Sequence, residues 1–370
     1  MSYNKNVTEA PAFPGPAEAP DIIGAQAAVS NPVSSEKSNG LNAMKPEVIQ
    51  ALEDSLRRSF RRLTPTFRGV LLAVSGGADS MTLLSGAARL AGRLGLVFEA
   101  ATVNHHLRPE SANEVELVAR LAGELGVPHH VLDAPLSHST GIEAAAREAR
   151  YAALESLRVS RTLDLVATAH TASDQAETLL MRLARGTSLA GAASIHESRG
   201  DRVIRPLLFA TRAQIEAYVT ARGFEVARDS MNADPAFLRV RIRQEVLPSL
   251  ERAAGPGTVQ ALARFSALAA DDEQWLGAEA ARALTLVRWA EDDTLEAEAL
   301  SALGRPIARR VLALWLTGKA VPLDGALLED ALRAARDRGT ATLPGDRVLA
   351  CSNGRVTVLP APDRLHATSS

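Results

Sequence analysis

Val70-Leu71-Leu72-Ala73-Val74-Ser75-Gly76-Gly77-Ala78-Asp79-Ser80 is the stretch that decides the fold. Its first five residues form a short apolar run of strand length. Two glycines follow, where a backbone can turn tightly and come close to a ligand. From about Ser80 to Leu94 the pattern predicts a helix, whose N-terminal amides and positive dipole end point back at the turn. Strand, turn and helix make an anion cradle, to which Ser75 and Ser80 add hydroxyl donors. Asp79 is a poor neighbour for a phosphate unless a cation stands between them, which points to Mg²⁺. No lysine lies in or just after the loop, so it is not the phosphate loop of the common NTPases. Two glycines alone would be equally compatible with an ordinary strand-to-helix turn.

On either side the pattern alternates. Short apolar runs (Ala100 to Val103, His130 to Leu132, Leu165 to Ala169) are each followed by a helical stretch, beginning near Ser111, Ile142 and Ala172. Alternation of this kind predicts an α/β fold with a parallel sheet and helices on both faces. Val203 to Leu208 could add a strand. Ligands of such sheets bind outside the carboxyl ends of the strands. Upstream, Val48, Leu52, Leu56, Phe60 and Leu63 mark one face of a helix over 45–63. Residues 1–44 are rich in Pro, Ala, Ser, Gly and Asn and are expected to be a disordered extension.

After Pro248 the chain turns Ala- and Leu-rich, with helices expected over 258–285, 294–316 and 324–338 and a hinge at Gly255-Pro256-Gly257. The leucines, alanines and Trp275 of these helices read as core. Val348 to Ala350 and Arg355 to Leu359 flank Ser352-Asn353-Gly354, a tight-turn signal for a hairpin. The expected organisation is therefore a catalytic domain over 45–250, a smaller, mainly helical domain over 251–360 and a loose tail over 361–370.

The 370 residues carry a net charge of -2 and are 46% hydrophobic, enough for one full core and room for two domains. The near-neutral balance excludes a uniformly basic nucleic-acid coat, so any RNA contact must be local. The single cysteine, Cys351, excludes a disulfide framework and a multi-cysteine zinc site. With no bilayer-length apolar run and no secretory signal pattern, a soluble cytoplasmic protein is expected.

Ser75-Gly76-Gly77-Ala78-Asp79-Ser80 resembles the signature of the PP-loop ATP pyrophosphatases, which cleave ATP between the α and β phosphates. Several further stretches narrow the resemblance: Val103 to Ser111, Gly141 to Tyr151, Thr168-Ala169-His170 with Asp174 to Thr178, Arg182 to Gly186, Arg205-Pro206-Leu207-Leu208, Asp229 to Asn232, and Arg241-Ile242-Arg243. Over roughly 70 to 250 they resemble the tRNA(Ile)-lysidine synthetase family. This implies a PP-loop domain, ATP and Mg²⁺ as cofactors, and L-lysine and isoleucine tRNA with a CAU anticodon as substrates; it also allows a homodimer. The reaction implied adenylates the carbonyl oxygen at carbon 2 of the first anticodon cytidine, and lysine then displaces AMP. The sequence departs from the usual pattern at Thr171, Ser173 and Val240, and it is expected to lack the extra C-terminal domain of longer members.

On this resemblance Ser75, Gly76, Gly77, Ala78, Asp79 and Ser80 bind ATP, and Asp79 holds the metal. His105 and His106 end a strand at the ligand edge; His106 is the nucleotide candidate, and a structural histidine is the rival reading. Arg147 shares a helix face with Glu143 and Arg150 and is the candidate for the α-phosphate, against a simple Glu143–Arg147 pair. Asp174 and Glu177 stand three apart and would bind the lysine ammonium and take its proton, against an acidic helix start complementing the dipole. Arg182, Arg185, Arg205, Arg239, Arg241 and Arg243 are the candidate tRNA contacts, within a segment where Arg199, Arg202 and Arg212 add charge and only Glu197 and Asp201 oppose it.

Two other functions fit parts of the pattern. A PP-loop RNA thiolation enzyme would need paired cysteines. A non-catalytic, nucleotide-dependent tRNA-binding protein would not need Asp79, Asp174 and Glu177 together.

Overall fold

A computed structural model of the chain describes residues 37–104, 111–134, 142–227 and 237–361. Two compact units, Met1–Ala43 and Met44–Ser370, divide the chain, and both β-sheets lie in the second. The elements of its first half are α1 (Lys37–Leu63), β1 (Gly69–Ala73), α2 (Ala78–Leu94), β2 (Val97–Asn104), α3 (Ser111–Glu124), β3 (His129–Asp133), α4 (Ile142–Ser160), β4 (Leu165–Ala167), α5 (Ala172–Leu183), α6 (Leu189–Ala192), β5 (Ser198–Arg199), β6 (Val203–Ile204) and α7 (Arg212–Arg222). The first helix begins at Lys37, upstream of the expected start near 45.

The six strands order as β3-β2-β1-β4-β6-β5, all neighbours parallel except the edge pair β5–β6. Strand β1 reads as a continuous apolar run because both faces of the sheet are covered. Val70 and Leu72 point into one core with Leu52, Leu56 and Phe60 of α1 and Leu83 and Leu84 of α2. Leu71 points into the other, with Leu154 of α4, Val166 and Val203. Connections leave β1 toward β2 on one side, while β4 and β6 pair on the other. The direction of winding therefore reverses between β1 and β4, and that crevice is where such sheets bind ligands.

The chain continues as α8 (Leu238–Arg241), a π-helical turn over Ile242–Val246 and α9 (Leu247–Ala254). Pro248, near the start of α9, offers no amide hydrogen, and the widened turn directly before it is where the regular ladder breaks. Gly255 and Gly257, at φ 93° and 96°, make the corner into α10 (Thr258–Val287), as the hinge reading expects. Helix α10 packs on α5 and α6.

Next come β7 (Arg288–Trp289), β8 (Thr294–Glu296), α11 (Ala297–Ala302), α12 (Arg305–Gly318), α13 (Gly325–Arg336), β9 (Thr340–Leu343), β10 (Arg347–Ser352) and β11 (Arg355–Pro360). The expected hairpin is β10–β11, turned by Asn353 and Gly354 at φ 49° and 75°, the left-handed pair a two-residue turn needs. It lies within a five-stranded antiparallel sheet, β7-β8-β11-β10-β9, larger than a terminal hairpin. The helix expected over 294–316 is three elements, since Thr294–Glu296 pairs with β11, and Leu303 caps the end of one helix while Gly304, ahead of Pro306, caps the start of the next. Leu295, Leu300, Val311, Leu312, Leu332, Leu349 and Val356 form the core between this sheet and its helices. Trp275 does not belong to it. It is 61% exposed on α10, along with Phe265, Leu268 and Leu286, because the opposite face of that helix is the one that packs. No helix among the described residues is long and apolar enough to cross a membrane.

Candidate active site

The phosphate loop sits where its sequence places it, at the carboxyl end of β1. Gly76 adopts φ +87°, a conformation that favours glycine, and its carbonyl accepts from Ala227 N at 2.9 Å. Gly77 caps α2 in extended conformation without a side-chain partner for the first helical amides. The orphan N–H groups of that first turn are the anion donors this geometry offers. Ser80 Oγ donates to Gly77 O at 3.0 Å and accepts from Ser75 N at 3.1 Å, so it braces the loop from inside, whereas Ser75 is exposed at the mouth.

Across the crevice, β4 ends in Thr168-Ala169-His170 and α5 begins. Thr171 caps α5: its backbone N–H donates to Asp174 Oδ2 at 2.8 Å and its hydroxyl at 3.1 Å. A threonine at this departure from the family pattern thus holds Asp174 in place. Asp174 and Glu177 share one side of α5, as their spacing requires. The cations that meet them come from 62 to 66 residues away. Arg239 bridges the two acids, with Nη2 2.7 Å from Asp174 Oδ1 and Nε 2.7 Å from Glu177 Oε2. Arg243 places Nε 2.6 Å from Glu177 Oε1 and Nη2 3.0 Å from Glu177 Oε2. The Glu177 side chain is fully buried, while Asp174 keeps 17% exposure and the two arginines about a third. Val240, the departure beside Arg239, is only 9% exposed and packs inward.

Asp79 lies in the first turn of α2, close enough to this network to feel its charge. Burial, then the Asp174 charge, push its carboxyl up to about 6, against the opposing pull of Arg212 and Arg243. Such a group favours a proton or a metal as its counter-charge. His170 is driven the other way, to about 4, chiefly by burial and also by Arg205, Arg147 and Arg239; Asp174 opposes the shift. Its imidazole is therefore neutral at pH 7, with Nδ1 2.9 Å from Thr168 Oγ1.

The remaining candidates divide. Arg147 is exposed on α4 with its guanidinium 5.2 Å from the Tyr151 ring centre. Arg205 is only 3% exposed and donates to His196 O. Arg182 Nη1 is committed to Gly191 O at 2.9 Å and Ser194 O at 3.1 Å, so it secures the α6 turn. Arg185 is exposed and Arg241 half-buried. His105, His106, Asp229, Asn232 and the Glu143 side chain lie outside the described residues. Sequence reasoning did not single out His170, Tyr151 and Arg199, which the fold brings beside these candidates. The i, i+4 spacing of Arg147 and Tyr151 was the available signal for Tyr151, while nothing local marks Arg199.

Comparison with known proteins places the fold in a family. Residues 47–250 match the PP-loop domain family. Among curated proteins, the tRNA(Ile)-lysidine synthase of Thermobifida fusca is 37% identical over 85% of this chain and 98% of its own length. That of Salinispora tropica is 39% identical over 86% and 98%, and that of Methylobacterium nodulans 40% over 84% and 96%. Among solved structures, the U34-tRNA thiolase NcsA from Methanococcus maripaludis superposes with a TM-score of 0.53 at 16% identity, covering 61% of this chain and 80% of that one, a likeness of fold alone. With a phosphate cradle at the reversal point of the sheet and this identity along most of its length, the chain belongs to the tRNA(Ile)-lysidine synthase family.

Proposed function

We propose that this chain is a ligase that uses ATP to adenylate the carbonyl oxygen at carbon 2 of the first anticodon cytidine of isoleucine tRNA (CAU anticodon) and then joins L-lysine to that carbon, giving lysidine, AMP and pyrophosphate. The observation that carries the reading is the meeting, at one crevice, of the glycine turn of β1 with the acidic start of α5. In the first step the cytidine O2 attacks the α-phosphorus and pyrophosphate leaves. In the second the lysine amine attacks carbon 2 and AMP leaves.

The backbone amides from Gly77 to Ser80, with the Ser75 hydroxyl, cradle the phosphates. Asp79 fits a magnesium site. No group of three or more potential metal-ligating side chains occurs among the described residues, and magnesium typically takes one or two carboxylates together with substrate phosphates. A magnesium ion held there would neutralise phosphate charge. Arg147 and Arg205, whose fields converge on His170, stand ready for phosphate oxygens, and neutral His170 adds no charge of its own. Both acids are held by hydrogen bonds, but Glu177 is fully enclosed whereas Asp174 keeps 17% exposure, so access for the lysine ammonium runs through Asp174, which also takes the amine proton. A guanidinium has five donors, more than these bonds use, so Arg239 and Arg243 can be held by Glu177 and still meet tRNA phosphates. Arg185 and Arg241 extend that path.

We assign 45–250 as the catalytic domain and 251–360 as the tRNA-contacting domain. Cys351, alone and buried in β10, disfavours thiolation chemistry. It also suits the cytoplasmic location that belongs to the proposal; a homodimer is likewise proposed and is tested by sedimentation equilibrium. Mass spectrometry of an isoleucine tRNA carrying a CAU anticodon, after incubation with ATP and lysine, tests the function. The expected result is the lysidine mass and released pyrophosphate. An unchanged tRNA would overturn the assignment.

A further inference from the structure

Three arginines from separate elements gather around one tyrosine. Tyr151, on α4, lies partly buried against the core of Leu71, Leu154, Val166 and Val203. The Arg199 guanidinium, on the edge strand β5, is 4.6 Å from its ring centre, and that of Arg147, one turn earlier on α4, is 5.2 Å away. Arg205, just past the carboxyl end of β6, interacts with the Tyr151 hydroxyl. The acid paired with this group is Asp201, whose two oxygens accept from Arg199 Nε and Nη2 along one guanidinium edge and which is half exposed.

Arg205 is the telling member. It is 3% exposed, its Nε has no hydrogen-bond partner among the described residues, and a main-chain carbonyl, His196 O, receives its Nη1. Burial lowers its hold on the proton; Tyr151 opposes this, and the charges of Arg199 and Arg147 add to the lowering. Like charges collected at such range repel, and a buried N–H without a partner is costly. A ring face attracts two of the cations and a phenol oxygen the third, but only an anion would satisfy all three.

We propose that Tyr151 is the positioning residue of a phosphate-binding site whose donors are the guanidiniums of Arg147, Arg199 and Arg205. The ring sets the angle of the two outer guanidiniums, and the hydroxyl fixes the buried one. The occupant is a phosphate oxyanion, from the nucleotide or from the tRNA backbone. This identification of sources rests on the ligase reading.

The test is equilibrium binding of ATP and, separately, of isoleucine tRNA to the full chain and to Tyr151→Phe, Tyr151→Leu and Arg199→Gln, alongside turnover. Tyr151→Leu removes two cation–ring contacts and is expected to raise one dissociation constant at least about fivefold. Tyr151→Phe keeps the ring and recovers most of that loss. Arg199→Gln, a change at a partly exposed edge strand, raises the same constant without threatening the fold. The constant that moves names the source: ATP for a nucleotide phosphate, tRNA with a reduced salt dependence for a backbone phosphate. Both constants staying within twofold of the parent for Tyr151→Leu and Arg199→Gln would overturn the proposal. So would equal losses in Tyr151→Phe and Tyr151→Leu together with lowered stability, the mark of a packing role. Because binding is read directly, a parent chain that binds both ligands but makes no lysidine would fail the ligase reading and leave this measurement decisive for the site.

Discussion

Replacing Glu177 by glutamine removes one charge from the most enclosed ion cluster of the site. The carboxylate accepts from Arg239 Nε at 2.7 Å and from Arg243 Nε and Nη2 at 2.6 and 3.0 Å, with no exposure of its own side chain. Removing one partner of a fully buried pair costs about 3–5 kcal/mol. Here the arginines are 36% and 35% exposed. Water and the adjacent Asp174 recover part of their stabilisation, which lowers the expectation for Glu177→Gln to about 2–3 kcal/mol. A loss of that size corresponds to a fall in Tm of roughly 3–4 °C for a body this large. Urea unfolding of the parent, Glu177→Gln, Arg243→Gln and the double variant measures it, with a coupling of about 1–2 kcal/mol expected between the two sites. As a control, Glu279→Gln breaks the exposed pair with Arg282 and should cost under about 0.5 kcal/mol. A loss below about 1 kcal/mol for Glu177→Gln, or additivity within about 0.5 kcal/mol in the cycle, would refute the idea that Glu177 anchors both arginines.

Three further outcomes are expected. If Asp79 holds magnesium as proposed, its carboxyl at about 6 means that ATP binding with the metal would displace a proton below that pH; affinity should fall about tenfold per unit under pH 6 and level off above 7, while Asp79→Asn binds weakly at every pH. A parent profile flat from pH 5 to 8 by calorimetry would contradict this. His170, held near 4 in the fold, is neutral there while the unfolded chain takes up its proton below about 6.5; its contribution is present above 6.5 and is lost as pH falls toward 4, at most about 3 kcal/mol, so His170→Gln should flatten that limb of the stability curve. Gly76→Ala meets only ordinary contacts at 3.5 Å, so its cost of about 1 kcal/mol is backbone strain at φ +87°, and a wider loop should weaken ATP binding about fivefold in fluorescence titration.

The parts legible in the sequence are those whose cause is local. The run Val70 to Val74, its glycines and the helix after them form strand, turn and helix because each depends on a few adjacent residues. The same holds for the start of α5 and for the Asn353-Gly354 turn, where two left-handed residues close a hairpin. The alternation from 70 to 186 likewise gave the parallel sheet, since strand and helix periods are properties of neighbouring side chains.

What the sequence by itself determined, then, was the cradle, the class of fold and the pairing of Asp174 with Glu177 on one helix face. Which cation meets that pair was decided only by the tertiary structure. Arg239 reaches it from α8 and Arg243 from the π-helical turn that follows, and no local pattern reports a contact across more than 60 residues. The exposure of Trp275 and the extra strands around the hairpin were settled in the same way. A residue's intrinsic preference says whether it suits a core or a strand, but the partners that bury it or pair with it are chosen by packing of distant elements.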